Sequence, residues 1–152
     1  MTGVAHVIVA DDDPRKSGVL SWVLRERGYA VSAVPVHGGD ELIEVLRTRP
    51  ADLILLGANG HVAALDETLR KVRLDEQYGD VPVIIAGVTD AQDAANVLRK
   101  GADDWLPKPL RVADLLARVA ALLSARAEMR SVRLRLLRRE EELQRASQRI
   151  ER

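Results

Sequence analysis

The stretch VIVADDDP, from Val7 to Pro14, places four apolar residues directly before three aspartates and a proline. A short unbroken apolar run is typical of a strand that is buried on both faces of a parallel sheet. Asp13 followed by Pro14 has the pattern of a helix N-cap with proline at the first helical position. We therefore predict a buried strand, a pair of carboxylates, Asp11 and Asp12, at its carboxyl end, and a helix that begins immediately after them.

Further apolar runs follow along the chain, and longer amphipathic stretches separate them. The predicted strands are His6–Ala10, Ala30–Val34, Leu53–Leu56, Val83–Ala86 and Trp105–Leu106. The predicted helices run from Pro14 to a stop at Gly28, over Asp40–Leu46 and Val62–Leu74, from a cap at Thr89 or Asp90 to Gly101, and onward from about Arg111. Five alternating strand–helix units predict an α/β fold with an open, doubly wound parallel sheet, (βα)₅.

The carboxyl ends of these strands carry the residues of the candidate site, because the binding crevice of a doubly wound sheet lies at that edge. Five residues fall at or just past strand ends: Asp11, Asp12, Gly57, Gly87 and Lys108. Two carboxylates and a lysine suit a phosphate and a metal ion. Such a site requires a further carboxylate at position 57, where the stretch DLILLGAN (Asp52–Asn59) has glycine.

Composition limits the classes of protein that need be considered. The chain has 152 residues, no cysteine, no phenylalanine and a formal net charge of zero. The absence of cysteine excludes disulfides and thiolate metal sites, and the neutral charge gives the whole chain no bias toward nucleic acid or anionic membranes. No apolar run approaches the roughly 20 residues of a membrane span, and Asp11 to Asp13 interrupt any signal-peptide pattern. We expect a soluble cytoplasmic protein without a membrane partner.

The last predicted helix continues far beyond the length that a single domain requires. Neither glycine nor proline occurs between Val112 and Arg152. Leucine, methionine or isoleucine recurs at every seventh residue from Leu115 to Ile150, and we take these residues as position a of a heptad repeat. From Leu122 onward, eight of the nine a and d positions are apolar, and the exception is Arg139. This pattern predicts a coiled coil, whereas the alternative is an arginine- and alanine-rich helix that simply extends into solvent.

The heptad register predicts how two such helices would pair. Glu128 at a g position would face Arg133 at an e position of a second chain, and Arg135 would face Glu140, which favours a parallel homodimer. The predicted interface comprises Leu115, Leu122, Ala125, Met129, Val132, Leu136, Leu143, Ala146 and Ile150. We divide the chain into a globular domain, 1–123, and an extended helix, 112–152.

From about His6 to Leu123 the chain resembles a response-regulator receiver domain, which has a flavodoxin-like fold. The resemblance lies in VIVADDDP, PADLILLGANG, VPVIIAGV and GADDWLPKPL, in this order and spacing. It implies that Asp11, Asp12 and the backbone carbonyl of Asn59 would hold Mg²⁺, and that Lys108 would pair with a phosphoryl group. It also implies that Trp105 is an aromatic switch residue, although packing at the sheet edge is an equally good interpretation.

Two positions depart from the family's pattern. Gly57 stands where the family has the phosphoacceptor aspartate, and Gly87 stands where it has the Thr or Ser hydroxyl that binds the phosphoryl group. Glycine carries no nucleophile, so phosphoryl transfer to position 57 is chemically impossible. We expect Mg²⁺ binding to be weak or absent and no cofactor to be needed, with Lys108 pairing with Asp11 or Asp12 instead.

These features predict a phosphorylation-independent pseudo-receiver of a two-component signalling protein, with no catalytic residue and no enzymatic activity. It would dimerise through its coiled coil and relay signals to other signalling proteins or to a downstream output domain. An alternative is nucleic-acid binding by the last helix, where residues 124–152 contain nine arginines and five glutamates. A less favoured alternative is phosphorylation of another residue, His61, Asp66 or Asp90.

Overall fold

The computed structural model describes residues 3–36, 39–58 and 62–150. Strands and helices alternate throughout. The strands are β1 (His6–Ala10), β2 (Ala30–Val34), β3 (Leu53–Gly57), β4 (Val83–Ala86) and β5 (Asp104–Leu106). The helices are α1 (Pro14–Glu26), α2 (Asp40–Thr48), α3 (Val62–Leu74), α4 (Ala91–Arg99) and α5 (Val112–Ile150). All strand pairs are parallel, in the order β2-β1-β3-β4-β5, so the predicted (βα)₅ flavodoxin-like fold is confirmed.

Side chains alternate between the two faces of the sheet and form two separate cores. Ile8, Ile54 and Ile85 pack with apolar residues of α2, α3 and α4 on one face. Val7 and Val9 of β1 pack with residues of α1 and α5 on the other face. Because both faces are covered, the central strands are apolar at nearly every position, which explains why they were recognisable in the sequence.

The strand register brings the carboxyl ends of the central strands together. Ala10 lies beside Leu56, Gly57 beside Ala86, and Ala86 beside Leu106. The residues that follow these positions therefore share one edge of the sheet. Helix α1 starts at this edge because the Asp13 side chain accepts a hydrogen bond from the backbone N–H of Arg15 at 3.0 Å.

Helix α5 is continuous over 39 residues, which corresponds to about 58 Å. Its first turns cover the sheet, where Leu115 and Val119 are fully buried. The helix then passes the amino-terminal edge of the sheet, where Arg126 donates to the backbone carbonyl of Asp80 and Arg130 pairs with Asp52. Among the described residues, no helix is long and apolar enough to cross a membrane.

The placement of Leu115 corrects the predicted dimer interface. The seven-residue repeat places Leu115 in the seam, but Leu115 is 0% exposed and belongs to the core that the chain forms with its own sheet. A helix that packs on a sheet and a helix that packs on another helix show the same apolar spacing, so the repeat alone does not separate them. Leu122 is also partly buried against this core. The later residues of the predicted seam, Met129, Val132, Leu136, Leu143 and Ile150, are exposed in the single chain.

Candidate functional site

The carboxyl edge of the sheet contains a cleft of about 730 Å³ between α1 and the loop that joins β5 to α5. Asp11, Gly87 and Lys108 line this cleft, as the strand ends predicted. Leu20 and Leu110 contribute apolar walls, and neither is among the predicted site residues. Arg15 and Lys16 also line it, and their positions directly after the Asp13–Pro14 cap could have indicated this. Asn59 and His61 lie outside the described residues.

The side chain of Asp11 occupies the space above Gly57. Asp11 is only 7% exposed, and its Oδ1 atom accepts a hydrogen bond from the backbone N–H of Asp13 at 2.8 Å. A β-carbon added to Gly57 would lie 2.6 Å from Cγ of Asp11 and closer still to Oδ2. The carboxylate of Asp11 therefore overlaps the volume that any side chain at position 57 would enter.

Asp12 is engaged with the segment that follows β2. Its Oδ1 atom accepts a hydrogen bond from the backbone N–H of Val36 at 2.6 Å. Gly57 supplies no side-chain ligand for Mg²⁺ at the position where the family has a carboxylate. Asp11 and Asp12 each have one oxygen that accepts a backbone hydrogen bond. No group of three or more potential ligands occurs among the described residues. Because Mg²⁺ requires a nearly octahedral set of oxygens, two carboxylates would leave most of its coordination positions to water or to other groups.

Gly87 differs from Gly57 in its backbone conformation. Its φ angle is +94°, a region that residues with a side chain rarely adopt, whereas Gly57 has no positive φ. The backbone N–H groups of Gly87 and Val88 both donate to the carbonyl of Leu106, at 2.8 and 3.3 Å. Hydrogen bonds to β5 therefore hold this unusual turn at the end of β4.

Lys108 crosses over Gly87 and does not pair with the acids. A β-carbon added to Gly87 would lie 3.0 Å from Cε of Lys108, so the lysine stem fills the space that a side chain would take. Within the described part of the chain, no ion pair joins Lys108 to Asp11 or Asp12, contrary to the expected pairing. The acids have other partners, and Lys108 is exposed.

Trp105 is half-buried and packs against the core on the α2, α3 and α4 face of the sheet. The neighbouring Asp104 pairs with Arg118 of α5 at 2.7 Å. This ion pair connects β5 to the second turn of α5, beside the tryptophan.

The two acids considered as alternative phosphoacceptors have structural roles. Asp66 pairs with Lys100, which joins α3 to the end of α4. Asp90 caps α4 by accepting a hydrogen bond from the backbone N–H of Gln92 at 2.8 Å. Neither residue lines the cleft described above.

The family model of the response regulator receiver domain matches residues 7–120. The chain belongs to this family. Receiver structures share its fold: a signal receiver domain of a histidine kinase from Syntrophus aciditrophicus superimposes with a TM-score of 0.67 and 26% identity, covering 80% of this chain and 92% of that one. The receiver domain of a LuxO repressor protein from Vibrio parahaemolyticus gives 0.72, with 22% identity over 85% and 97% of the two chains.

Curated relatives of this receiver are named as regulators. The transcriptional regulatory protein PrrA of Mycobacterium leprae is 38% identical over 128 residues, which are 82% of this chain and 53% of that protein. The DNA-binding response regulator MtrA of Mycolicibacterium smegmatis is 36% identical over 123 residues, 78% of this chain and 50% of that protein. The chain thus spans about half the length of the curated relatives it matches.

Proposed function

We propose that this receiver transmits signals without phosphorylation at position 57, and that helix α5 carries its output through a parallel homodimer. The observation that carries the first part is the Asp11 carboxylate, which overlaps the space of a side chain at position 57. The site lacks the acceptor atom, and the Asp11 carboxylate would have to rotate away before a side chain at position 57 could occupy this space.

The second glycine supports the same proposal. A hydroxyl residue at position 87 would have to adopt a φ of +94° and displace the stem of Lys108. The conformation of the β4–α4 turn is therefore unsuited to the residue that normally reads a phosphoryl group. With acceptor and reader both absent, an input must act through binding of a partner or through a change in oligomeric state.

The exposed apolar residues of α5 support the second part. Leu136 is 62% exposed and Leu143 60% exposed in the single chain, and both lie at a positions of the heptad repeat. A paired helix would remove this apolar surface from water, at about 25 cal/mol per Å² buried. We propose a receiver unit, 1–123, and an extended helix, 112–152, that joins the receiver to a second copy and to other signalling proteins or an output domain.

The experiment that tests the loss of phosphorylation is intact-mass spectrometry after incubation with acetyl phosphate and Mg²⁺. We expect no phosphoryl adduct on the natural chain. Gly57→Asp is the matched control, because it restores a carboxylate at the family's acceptor position. A stoichiometric adduct on the natural chain would contradict the proposal, and mapping it to His61, Asp66 or Asp90 would identify a different acceptor.

Nucleic-acid binding by α5 remains the second candidate, because curated relatives are named as DNA-binding regulators. Two of the arginines in this helix, Arg126 and Arg130, already contact Asp80 and Asp52 of the receiver. The seven remaining arginines share residues 124–152 with five glutamates, three of which lie together at 140–142, and these glutamates reduce the positive field along the helix. A salt-dependent mobility shift with duplex DNA would support this candidate, and its absence at low salt would exclude it.

A further inference from the structure

A cleft of about 570 Å³ separates α5 from the amino-terminal edge of the sheet. One wall is formed by residues that precede β3 and β4, among them Pro50, Gln77 and Pro82. The other wall is formed by α5 and includes Leu122, Ala125 and Met129. These three residues are consecutive a and d positions of the predicted seam, so the first part of the seam opens into the cleft.

We infer that this cleft, defined by the α5 wall and the sheet edge, receives helix α5 of a second copy of the chain. The inference rests on the proposed homodimer and deepens it. A partner helix that packs on Leu122, Ala125 and Met129 must also lie against the edge of the receiver, because the same residues line the cleft. The dimer contact would thus include the receiver and not only the free part of the helix.

The geometry of α5 indicates which side of the partner helix faces the receiver. At about 100° per residue, the e positions Arg126 and Arg133 project within about 40° of Leu115 and Val119, which are buried on the sheet. The e flank of α5 therefore faces its own receiver. In a parallel pair, the g flank of one helix lies beside the e flank of the other, so the partner's g flank would enter the cleft.

The charges in the cleft are complementary to that flank. Arg126 and Arg130 are held by Asp80 and Asp52, with Arg126 Nη1 3.9 Å from Asp80 Oδ1 and Arg130 Nη1 3.4 Å from Asp52 Oδ1. Arg133 lines the same cleft, and within the described ranges it has no acidic partner. Glu128, the g residue at this level, likewise has no ion-pair partner among the described residues. In a symmetric dimer, Glu128 of each copy would therefore pair with Arg133 of the other copy.

Arg126 adds a further reason for a polar occupant. Its Nε atom is buried and has no hydrogen-bond partner within the described chain. Burial lowers the pKa of the Arg126 guanidinium, and the positive charge of Arg130 lowers it further. An additional carboxylate at the cleft would offset both effects, and Glu128 of the second copy would be the nearest such group in the parallel register.

Cross-linking of the full chain tests the proposed contact, and the absence of cysteine makes introduced thiols unique. A chain with Gln77→Cys is mixed with a chain with Ser124→Cys and treated with a short bifunctional thiol reagent. In the proposed pair, Ser124 projects toward the partner's receiver, whereas within its own chain it projects about 160° away from the receiver-facing side. We expect a covalent heterodimer. Ala127→Cys, which faces away from both the partner helix and the partner's receiver, is the matched control and should give none.

The outcomes separate this inference from the proposed homodimer. If sedimentation shows a dimer and Met129→Cys chains form a disulfide with each other, but Gln77→Cys does not link to Ser124→Cys, the coiled coil stands and the cleft contact is refuted. If sedimentation shows only monomer, both proposals are wrong.

A charge exchange gives an independent readout. Glu128→Arg and Arg133→Glu should each weaken the dimer by roughly tenfold at low salt, because each reverses two symmetric pairs, and the double variant should restore the affinity. Arg138→Glu, on the solvent side of the helix, should have little effect. A double variant that is no tighter than the single variants would overturn the pairing.

Discussion

Substitution of Gly57 by aspartate is the most direct test of how the site is closed. The backbone permits a side chain there, since Gly57 has no positive φ. The new β-carbon would lie 2.6 Å from Cγ of Asp11, so the Asp11 carboxylate must rotate away. Rotation breaks the hydrogen bond from the Asp13 backbone N–H, which contributes about 0.5 to 1.5 kcal/mol.

The substitution also adds a negative charge beside a buried one. Two carboxylates about 4 Å apart repel each other by roughly 4 kcal/mol at an effective dielectric constant of 20, which is an upper limit for a site that can relax. We expect Gly57→Asp to lower the free energy of unfolding by about 2 to 5 kcal/mol in the absence of metal. Saturating Mg²⁺ should recover about 2 to 3 kcal/mol, because three carboxylates then share a divalent cation.

Urea unfolding followed by circular dichroism, with and without Mg²⁺ at one protein concentration, measures these differences. Gly57→Asn is the matched control, since the asparagine side chain has the size of aspartate without its charge. This variant should lose only the part of the unfolding free energy that comes from the hydrogen bond and the packing of Asp11. If Gly57→Asp is as stable as the natural chain without metal, the Asp11 carboxylate does not occupy the space above position 57. If the Asp and Asn variants respond equally to Mg²⁺, the electrostatic explanation is wrong.

Three further predictions follow from the same structure. Gly87→Ala should lower the free energy of unfolding by about 1 to 3 kcal/mol because of its φ of +94°, whereas Gly18→Ala, in open space within α1, should raise it by about 0.5 to 1 kcal/mol in the same urea titration. Leu136→Asp should dissociate the dimer in sedimentation experiments with the fold intact, whereas Leu115→Ala should cost about 2 to 5 kcal/mol of folding stability. The backbone N–H of Tyr78 and the nearby Arg47 hold the pKa of Asp75 below its usual value, so Asp75 stabilises the fold above its ordinary pKa of about 3.9 and this contribution is lost as the pH falls further. Acid titrations of the Asp75→Asn variant should therefore show a weaker loss of stability in that range.

The strands were predictable because their signal is local. A strand covered on both faces must be apolar at successive positions, as β1 and β4 are. Three of the five strands, β1, β2 and β4, have the bounds that the apolar runs indicate. The strand ends then followed from the parallel topology, which placed Asp11, Gly57 and Gly87 at one edge of the sheet.

The side-chain arrangement within the site was not predictable in the same way. Whether Lys108 pairs with Asp11 or Asp12 depends on the rotamer that each flexible side chain adopts. In the structure, the lysine stem lies over Gly87 and the Asp11 carboxylate lies over Gly57. Both side chains occupy space that a glycine leaves open, and a sequence does not show how such space is filled.

Gly57 removes the phosphoacceptor, whereas Gly87 changes the backbone conformation of the β4–α4 turn. The Gly57→Asp chain can separate these two effects. Position 57 has an ordinary backbone conformation, so one substitution restores a carboxylate and, with Mg²⁺, an acceptor for phosphoryl transfer. Position 87 has a backbone that hydrogen bonds to Leu106 hold at a φ of +94°, so the turn cannot follow a phosphoryl group without breaking those bonds. A phosphorylated Gly57→Asp chain should therefore retain the dimer affinity of the unphosphorylated variant in sedimentation experiments. A change of tenfold or more on phosphorylation would mean that the acceptor alone drives α5, and that the conformation of Gly87 does not block the switch.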